Sequence, residues 1–161
     1  MIVVVMGVSG SGKTTIGTAL AARLGCEFLE GDDWHPAENV AKMASGTPLD
    51  DDDRWPWLDQ LNAELRKREA AGDNVVLTCS ALKQSYRDRL TRGLAHWHLV
   101  FLHGSFEVIR DRVAKRKHRY MPASLLRSQF DALEPPTDAI FVDVAEPPDR
   151  SIEYIAAALR R

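Results

Sequence analysis

This sequence has few cysteines and little net charge. Only two cysteines occur in 161 residues, Cys26 and Cys79, and their wide separation favours free thiols in a reducing compartment over a disulfide. The formal net charge is only −2, which gives no overall attraction to nucleic acid or to an anionic membrane surface. No apolar run approaches the length of a membrane span. We therefore expect a cytoplasmic protein without a nucleic-acid or membrane partner.

The size of the chain predicts one domain, 1–161. An apolar content of 45% is enough to build a single sizeable core. The apolar run 1–8 has no basic leader and leads directly into a glycine-rich turn. It therefore predicts a first strand and not a signal peptide.

Short apolar runs alternate along the chain with segments of helical spacing. The predicted strands are 2–6, 27–29, 75–78, 99–102 and 140–142. The predicted helices are 13–24, 57–71, 84–93, 106–116, 123–133 and 151–159. This alternation predicts an α/β fold with a five-stranded parallel sheet and helices on both faces. Ligands of such sheets bind beyond the carboxyl ends of the strands.

The residues after the first predicted strand fit the P-loop pattern of Gly, four residues and Gly-Lys-Ser/Thr. The glycines let backbone N–H groups turn inward, and the next helix directs its positive N-terminus at the phosphates. We expect Lys13 to reach the β- and γ-phosphates of ATP and the Thr14 hydroxyl to ligate Mg²⁺. The alternative is a chance glycine turn before a helix. The residues assigned to the nucleotide are Gly7, Ser9, Gly10, Ser11, Gly12, Lys13, Thr14 and Thr15.

The P-loop alone does not identify the phosphoryl acceptor. The guanine-specific Asn-Lys-x-Asp motif is absent from the sequence, which argues against a GTPase. The chain is also too short for the usual core of a motor or transport ATPase. Phosphoryl transfer to a small acceptor therefore becomes the leading class.

Acidic residues follow the second predicted strand, beside the expected position of the phosphates. A hydroxyl that attacks the γ-phosphoryl group needs orientation and a proton acceptor, and a carboxylate can supply both. We expect Asp32 to be this base and Glu30 to hold a water molecule of the Mg²⁺ shell. Asp33 either joins this site or caps the next helix. His35 either contacts the substrate or has a structural role in the loop.

Three longer motifs extend the P-loop pattern. They are GDDWHP at 31–36 with DDDR at 51–54, CSALK at 79–83 with YRD at 86–88, and SQF at 128–130 with LE at 133–134. Together with the P-loop, they closely resemble the gluconate kinase family. The resemblance implies ATP:D-gluconate 6-phosphotransferase activity on a fold similar to those of shikimate and nucleoside monophosphate kinases. It also implies a homodimer that uses ATP and Mg²⁺ in gluconate catabolism and feeds the pentose phosphate route.

Gluconate carries a carboxylate and several hydroxyls, so its pocket needs a cation and mixed hydrogen-bonding groups. We expect Arg54, Lys83, Arg87 and Ser80 to contact it, together with Asp32 and His35. The alternative for Arg54 is a surface salt bridge within the acidic run 50–53. Arg87 can instead be an exposed helical charge paired with Asp88, and Ser80 can simply end its strand.

The densest basic run begins near position 110. Arg112 and Arg116 are one helical turn apart, and small kinases of this shape close a lid whose arginines neutralise the transferring phosphoryl group. We expect a lid at 115–124, with Arg112 and Arg116 catalytic and bound to the nucleotide. The alternative is a solvated basic face or a nucleic-acid patch. The family motif Gly-His-Phe-Met is replaced here by HRYM at 118–121, so Arg119 occupies the position of the family's histidine.

The segment 143–147 follows the last predicted strand, where related folds bind adenine through backbone groups. Two other functions remain open. One is a shikimate- or nucleotide-type small-molecule kinase, and the other is a non-catalytic ATP-binding regulator.

Overall fold

The computed structural model describes residues 1–115 and 122–161. Five parallel strands form one sheet in the order β2-β3-β1-β4-β5. The strands are β1 (Ile2–Met6), β2 (Glu27–Glu30), β3 (Val75–Thr78), β4 (Trp97–His103) and β5 (Ile140–Asp143). The predicted α/β P-loop fold, with a five-stranded parallel sheet and helices on both faces, is confirmed.

Helices connect the strands throughout the described chain. They are α1 (Lys13–Leu24), α2 (Ala37–Ala44), α3 (Asp51–Ala70), α4 (Gln84–Leu90), α5 (Phe106–Ala114), α6 (Ala123–Ala132) and α7 (Pro148–Leu159). A 3-10 turn, Gly31–Trp34, follows β2. No helix among the described residues is long and apolar enough to cross a membrane.

The core lies around the central strands. All five residues of β1 are buried, because β1 is flanked by β3 and β4 and covered on both faces, which explains its uninterrupted apolar sequence. Helix α3 adds Trp57, Leu58, Leu61 and Leu65 to this core. Full burial of one such side chain stabilises the fold by roughly 1.5–3 kcal/mol.

Helix α3 begins six residues earlier than predicted, at Asp51 and not at residue 57. Pro56 lies inside this helix, where proline removes a backbone donor. In the structure, Asp50 accepts from the Asp53 N–H while the Asp53 carboxylate accepts from the Asp50 N–H. This capping box, with acids in the first turn, stabilises the helix N-terminus and offsets the missing bond. Helix α2 is not among the helical segments predicted from the sequence, although a helix after Asp33 was considered.

Candidate active site

The P-loop lies at the carboxyl end of β1 and leads into α1. Gly10 and Gly12 adopt positive φ angles of 82° and 95°, and a Cβ on Gly10 would lie 2.4 Å from Val113 Cγ2. Both conformation and space therefore require glycine at position 10. The Lys13 ammonium donates to the carbonyls of Gly7 at 2.9 Å and Val8 at 3.0 Å. The lysine thus folds over the loop that it follows.

A carboxylate connects the P-loop helix with the neighbouring strands. Glu30 accepts a hydrogen bond from the Thr14 hydroxyl at 2.6 Å and another from the Thr78 hydroxyl at 2.7 Å. The two predicted metal-site residues, Thr14 and Glu30, are therefore in direct contact. Their oxygen donors suit Mg²⁺, which takes few protein ligands and relies on substrate phosphates and water for the rest. No group of three or more His, Cys, Asp or Glu side chains within 1–115 and 122–161 is arranged to hold a metal without such help.

The 3-10 turn after β2 places Asp32 at the same edge. A Cβ on Gly31 would lie 2.0 Å from the Thr78 carbonyl oxygen, so only glycine permits this close approach to β3. The Trp57 indole N–H donates to the Gly31 carbonyl at 2.9 Å and fixes the turn from α3. The Asp32 side chain is 55% exposed and available to a ligand. Asp33 does not cap α2, whose N-cap is Pro36.

His35 is held rigidly beneath this turn. Its side chain is only 3% exposed, and its ring stacks on Trp57 with centroids 3.9 Å apart. Burial lowers the pKa of His35 to about 4, although the nearby Asp32 carboxylate opposes the shift. The ring is therefore neutral at pH 7. Since the Asn39 amide donates to Nδ1 at 3.2 Å, the ring proton lies on Nε2, which is 3.9 Å from Asp32 Oδ1.

Two cations lie close to the Tyr86 ring. The Arg54 guanidinium lies 5.1 Å and the Lys83 ammonium 5.5 Å from the ring centroid. Lys83 also lies 3.2 Å from Asp51 Oδ1, which accepts a hydrogen bond from the Tyr86 hydroxyl. These two hydrogen bonds, first from Tyr86 and then from Lys83, lower the pKa of Asp51. The cluster carries two positive charges against one carboxylate.

Arg54 does not form the alternative surface salt bridge. Its Nη2 donates to the Leu49 carbonyl at 3.2 Å, and it has no ion pair with any carboxylate in the described part of the chain. Its buried Nε has no hydrogen-bond partner there. The guanidinium is thus positioned by packing and keeps donors for an anion.

Known proteins are similar to this chain in sequence and in fold. A family model described as an AAA domain matches residues 2–136. The chain is 48% identical to a probable gluconokinase of Xenopus tropicalis over 99% of this chain and 91% of that relative. A solved gluconokinase from Sinorhizobium meliloti 1021 is 47% identical, has a TM-score of 0.87, and is matched over 99% of this chain and 91% of its own.

The chain belongs to the gluconokinase family of AAA-domain proteins. The resemblance to gluconate kinases noted in the sequence is thereby confirmed. A shikimate kinase from Bacteroides thetaiotaomicron shares the fold at a TM-score of 0.71 and 17% identity, with 100% of this chain and 99% of that chain covered. The predicted structural similarity of this gluconokinase-family chain to shikimate kinases is confirmed at the level of the fold.

Arg87 corrects the sequence prediction for this family member. Its side chain is buried, at 4% exposure, so it is not the exposed helical charge considered above, and Asp88 instead accepts from Gln84. The Arg87 guanidinium donates to four acceptors of the surrounding loops: Ala81 O at 2.8 Å, Leu82 O at 3.2 Å, Gln84 Oε1 at 3.1 Å and Glu134 O at 2.8 Å. Since buried carbonyls need donors, Arg87 stabilises the loop that carries Lys83 and does not face the substrate.

The rest of that loop lies at the same sheet edge. Ser80 is half-buried just beyond the end of β3. Its neighbour Cys79 is fully buried, and burial raises the pKa of the Cys79 thiol to about 12. The thiol therefore stays protonated and has no nucleophilic role.

Arg112 lies on α5, and its guanidinium donates to the Val144 carbonyl. It lines a cavity of about 210 Å³ together with Gly10, Gly12 and Pro148. Asp143, Val144 and Glu146 also line this cavity, so the segment expected near adenine does border the P-loop. Helix α5 ends at Ala114. Of the predicted lid at 115–124, residues 116–121, which include Arg116 and Arg119, lie outside the described residues.

Three further residues of the site are not predicted from the sequence. Tyr86 and Asp51 organise the cationic cluster, and Gln129 contacts the P-loop residue Ser9. All three lie within the family motifs, but nothing in local spacing indicates which side chain of a motif turns toward the site. Their roles depend on contacts between elements distant in sequence.

Proposed function

We propose that this chain transfers the γ-phosphoryl group of ATP to the 6-hydroxyl of D-gluconate and releases 6-phospho-D-gluconate and ADP. One observation carries the proposal. The P-loop, the acidic turn with Asp32 and the cationic cluster of Arg54 and Lys83 meet at one edge of the sheet. Membership of the gluconokinase family supports gluconate as the acceptor.

We propose that the triphosphate of ATP lies in the P-loop. The glycine turn at Gly10 and Gly12, the N-terminus of α1 and the Lys13 ammonium all favour anionic oxygens there. Adenine would then occupy the cavity between Arg112 and Pro148. Arg112 and Arg116 remain our candidates for neutralising the charge of the transferring group.

The Thr14 hydroxyl and the Glu30 carboxylate would hold Mg²⁺, with Glu30 acting through a water molecule. Their 2.6 Å contact brings two hard oxygen donors to the mouth of the P-loop, which supports this assignment. When bound, the ion neutralises negative charge on the phosphate oxygens. Glu30 also orients both threonine hydroxyls by accepting from them.

Asp32 is our candidate for the general base. As the gluconate O6 bonds to the γ-phosphorus, the bond from that phosphorus to the β–γ bridging oxygen breaks, and ADP leaves with that electron pair. The O6 proton passes to the Asp32 carboxylate. The Nε2–H of neutral His35 faces Asp32 Oδ1, so we propose that His35 helps to direct the other carboxylate oxygen at the acceptor.

The substrate carboxylate would bind Arg54 and Lys83. The two cations exceed the Asp51 carboxylate by one positive charge, and both lie close to the Tyr86 ring. A planar guanidinium suits bidentate recognition of a carboxylate. Ser80 remains a candidate for the substrate hydroxyls. Direct contact by His35 is withdrawn because its side chain is only 3% exposed, and Arg87 is withdrawn because it is buried and both of its Nη atoms donate to protein acceptors.

A panel of acceptors in a coupled assay of ADP release tests the proposal. With Mg-ATP, D-gluconate should give turnover, while shikimate, AMP and CMP should not. Turnover with shikimate or a nucleotide but not with gluconate would favour another small-molecule kinase. Tight ATP binding without acceptor-dependent ADP release would favour a regulator.

We further propose that the chain acts as a single domain, in the cytoplasm and as a homodimer, in a pathway that consumes gluconate. The similarity of the motifs to gluconate kinases supports the dimer and the pathway, and the two free thiols, Cys26 and Cys79, suit a reducing compartment. Sedimentation equilibrium should give twice the chain mass of 18.0 kDa. A concentration-independent monomer would refute the dimer.

A further inference from the structure

A side chain of α6 holds the P-loop from outside the nucleotide site. The Ser9 N–H donates to Gln129 Oε1 at 2.7 Å, and Gln129 Nε2 lies 3.1 Å from Ser9 Oγ. One amide thus binds both the backbone and the hydroxyl of the same residue, 120 positions away in sequence. Since both bonds converge on Ser9, they fix its position and its orientation.

Ser9 lies between the P-loop backbone that anchors Lys13 and the glycine at which the loop turns. It follows Gly7 and Val8, whose carbonyls accept from the Lys13 ammonium, and it precedes Gly10, whose positive φ turns the loop. A shift of Ser9 would therefore move both the backbone that anchors Lys13 and the turn that forms the phosphate site. The sequence assigns Ser9 to the nucleotide, but its N–H already bonds to Gln129, so Ser9 contributes to the loop through its conformation and not through this N–H.

Glu134, just after the end of the same helix, contacts the loop that carries Lys83. The Glu134 N–H donates to the Leu82 carbonyl at 2.8 Å, and the Glu134 carboxylate accepts from the Gln84 N–H at 2.8 Å. The Glu134 carbonyl accepts from Arg87. These three bonds flank Lys83. Helix α6 and the residues after it therefore connect the loop that binds phosphate with the loop that carries an acceptor cation.

We propose that Gln129 is a positioning residue for phosphoryl transfer. By holding Ser9, it keeps the P-loop correctly placed relative to the loop that carries Lys83. This inference rests on the proposed function. A Gln129→Met substitution preserves the size and helical preference of the side chain but removes both hydrogen bonds. Since small misplacements of reacting groups can cost about 100-fold in rate, we expect kcat to fall about 10- to 100-fold. The KM for gluconate should change less than about threefold, because Gln129 does not touch the gluconate site.

The matched control is Ser128→Ala. Ser128 is the preceding residue of α6, and its hydroxyl donates to Leu125 O at 2.7 Å within the helix, so this variant perturbs the helix without touching the P-loop. Its kcat should remain within about twofold of wild type. Ser9→Ala completes a cycle. Because Ser9→Ala and Gln129→Met both remove the bond to Ser9 Oγ, the loss in the double variant should be smaller than the product of the single losses.

Hydrogen exchange supplies a readout that does not depend on turnover. The Ser9 amide should exchange more slowly in the wild type and in Ser128→Ala than in Gln129→Met. If Gln129→Met does not fold, Gln129→Asn replaces it, since the shorter side chain cannot span the same gap. An active wild type whose Gln129 variant keeps full kcat would overturn the positioning role. A wild type without turnover on gluconate would instead refute the proposed function.

Discussion

The buried His35 predicts a specific dependence of stability on pH. Its pKa is about 4 in the folded protein, against an ordinary value of 6.5, because the stacked ring is excluded from solvent. Between these values the unfolded chain binds more protons than the folded chain, so the free energy of unfolding falls as the pH falls. The full free energy of unfolding is present above about pH 6.5, where the His35 ring is neutral in both the folded and the unfolded chain. At pH 4.5 we expect about 2 to 3 kcal/mol of it to be lost.

Urea unfolding at pH 7.0 and pH 4.5 measures this loss. His35→Phe keeps an aromatic ring against Trp57 but removes the titrating group, at a cost of about 1 kcal/mol at both pH values for the lost Asn39 bond. The wild type should therefore lose about 2 to 3 kcal/mol more than His35→Phe between the two pH values. His98→Phe is the matched control, because its exposed ring on β4 should leave the wild-type dependence unchanged. Equal losses in the wild type and His35→Phe would refute the account of His35.

Three further predictions concern individual residues. Asp32→Asn should keep ATP binding by calorimetry while kcat falls about 10²- to 10⁴-fold; retained turnover would remove Asp32 as the base. Lys13→Ala should weaken both ATP binding and kcat, because one ammonium serves the phosphates in the bound and transition states, and unimpaired kinetics would contradict the P-loop assignment. Arg87→Met should lower the free energy of unfolding by about 3 kcal/mol or more, since buried carbonyls lose their charged donor; a loss below about 1 kcal/mol in urea unfolding would argue that the guanidinium is dispensable.

The sheet was predictable because each strand is marked by a pattern of neighbouring residues in the sequence. Short β-branched apolar runs and helical spacing identified all five strands to within a few residues, and the P-loop located the phosphate end of β1. The start of α3 was missed because the capping box of Asp50 and Asp53 outweighed the breaking effect of Pro56. Helix α2 was missed because it has only eight residues, fewer than the window over which helical spacing is recognised, and because its one buried side chain, Asn39, is polar.

The site was only partly predictable, because tertiary contacts decide where charged side chains point. The contact of Thr14 with Glu30 agrees with strand-end reasoning, since β1, β2 and β3 end at one edge. Arg87 illustrates the limit. On α4 it has the sequence context of an exposed helical charge, yet it is buried by the loop that includes Ala81, whose φ is +47°, and by the residues after α6. Neither contact has a local signature in the sequence.

The most direct test of phosphoryl transfer is ³¹P NMR of a reaction that contains the purified protein, Mg-ATP and D-gluconate. We predict that ADP and one new phosphomonoester, coupled to the two protons on C6 of gluconate, will appear in equal amounts. Formation of ADP with inorganic phosphate alone, or no consumption of ATP, would contradict the account.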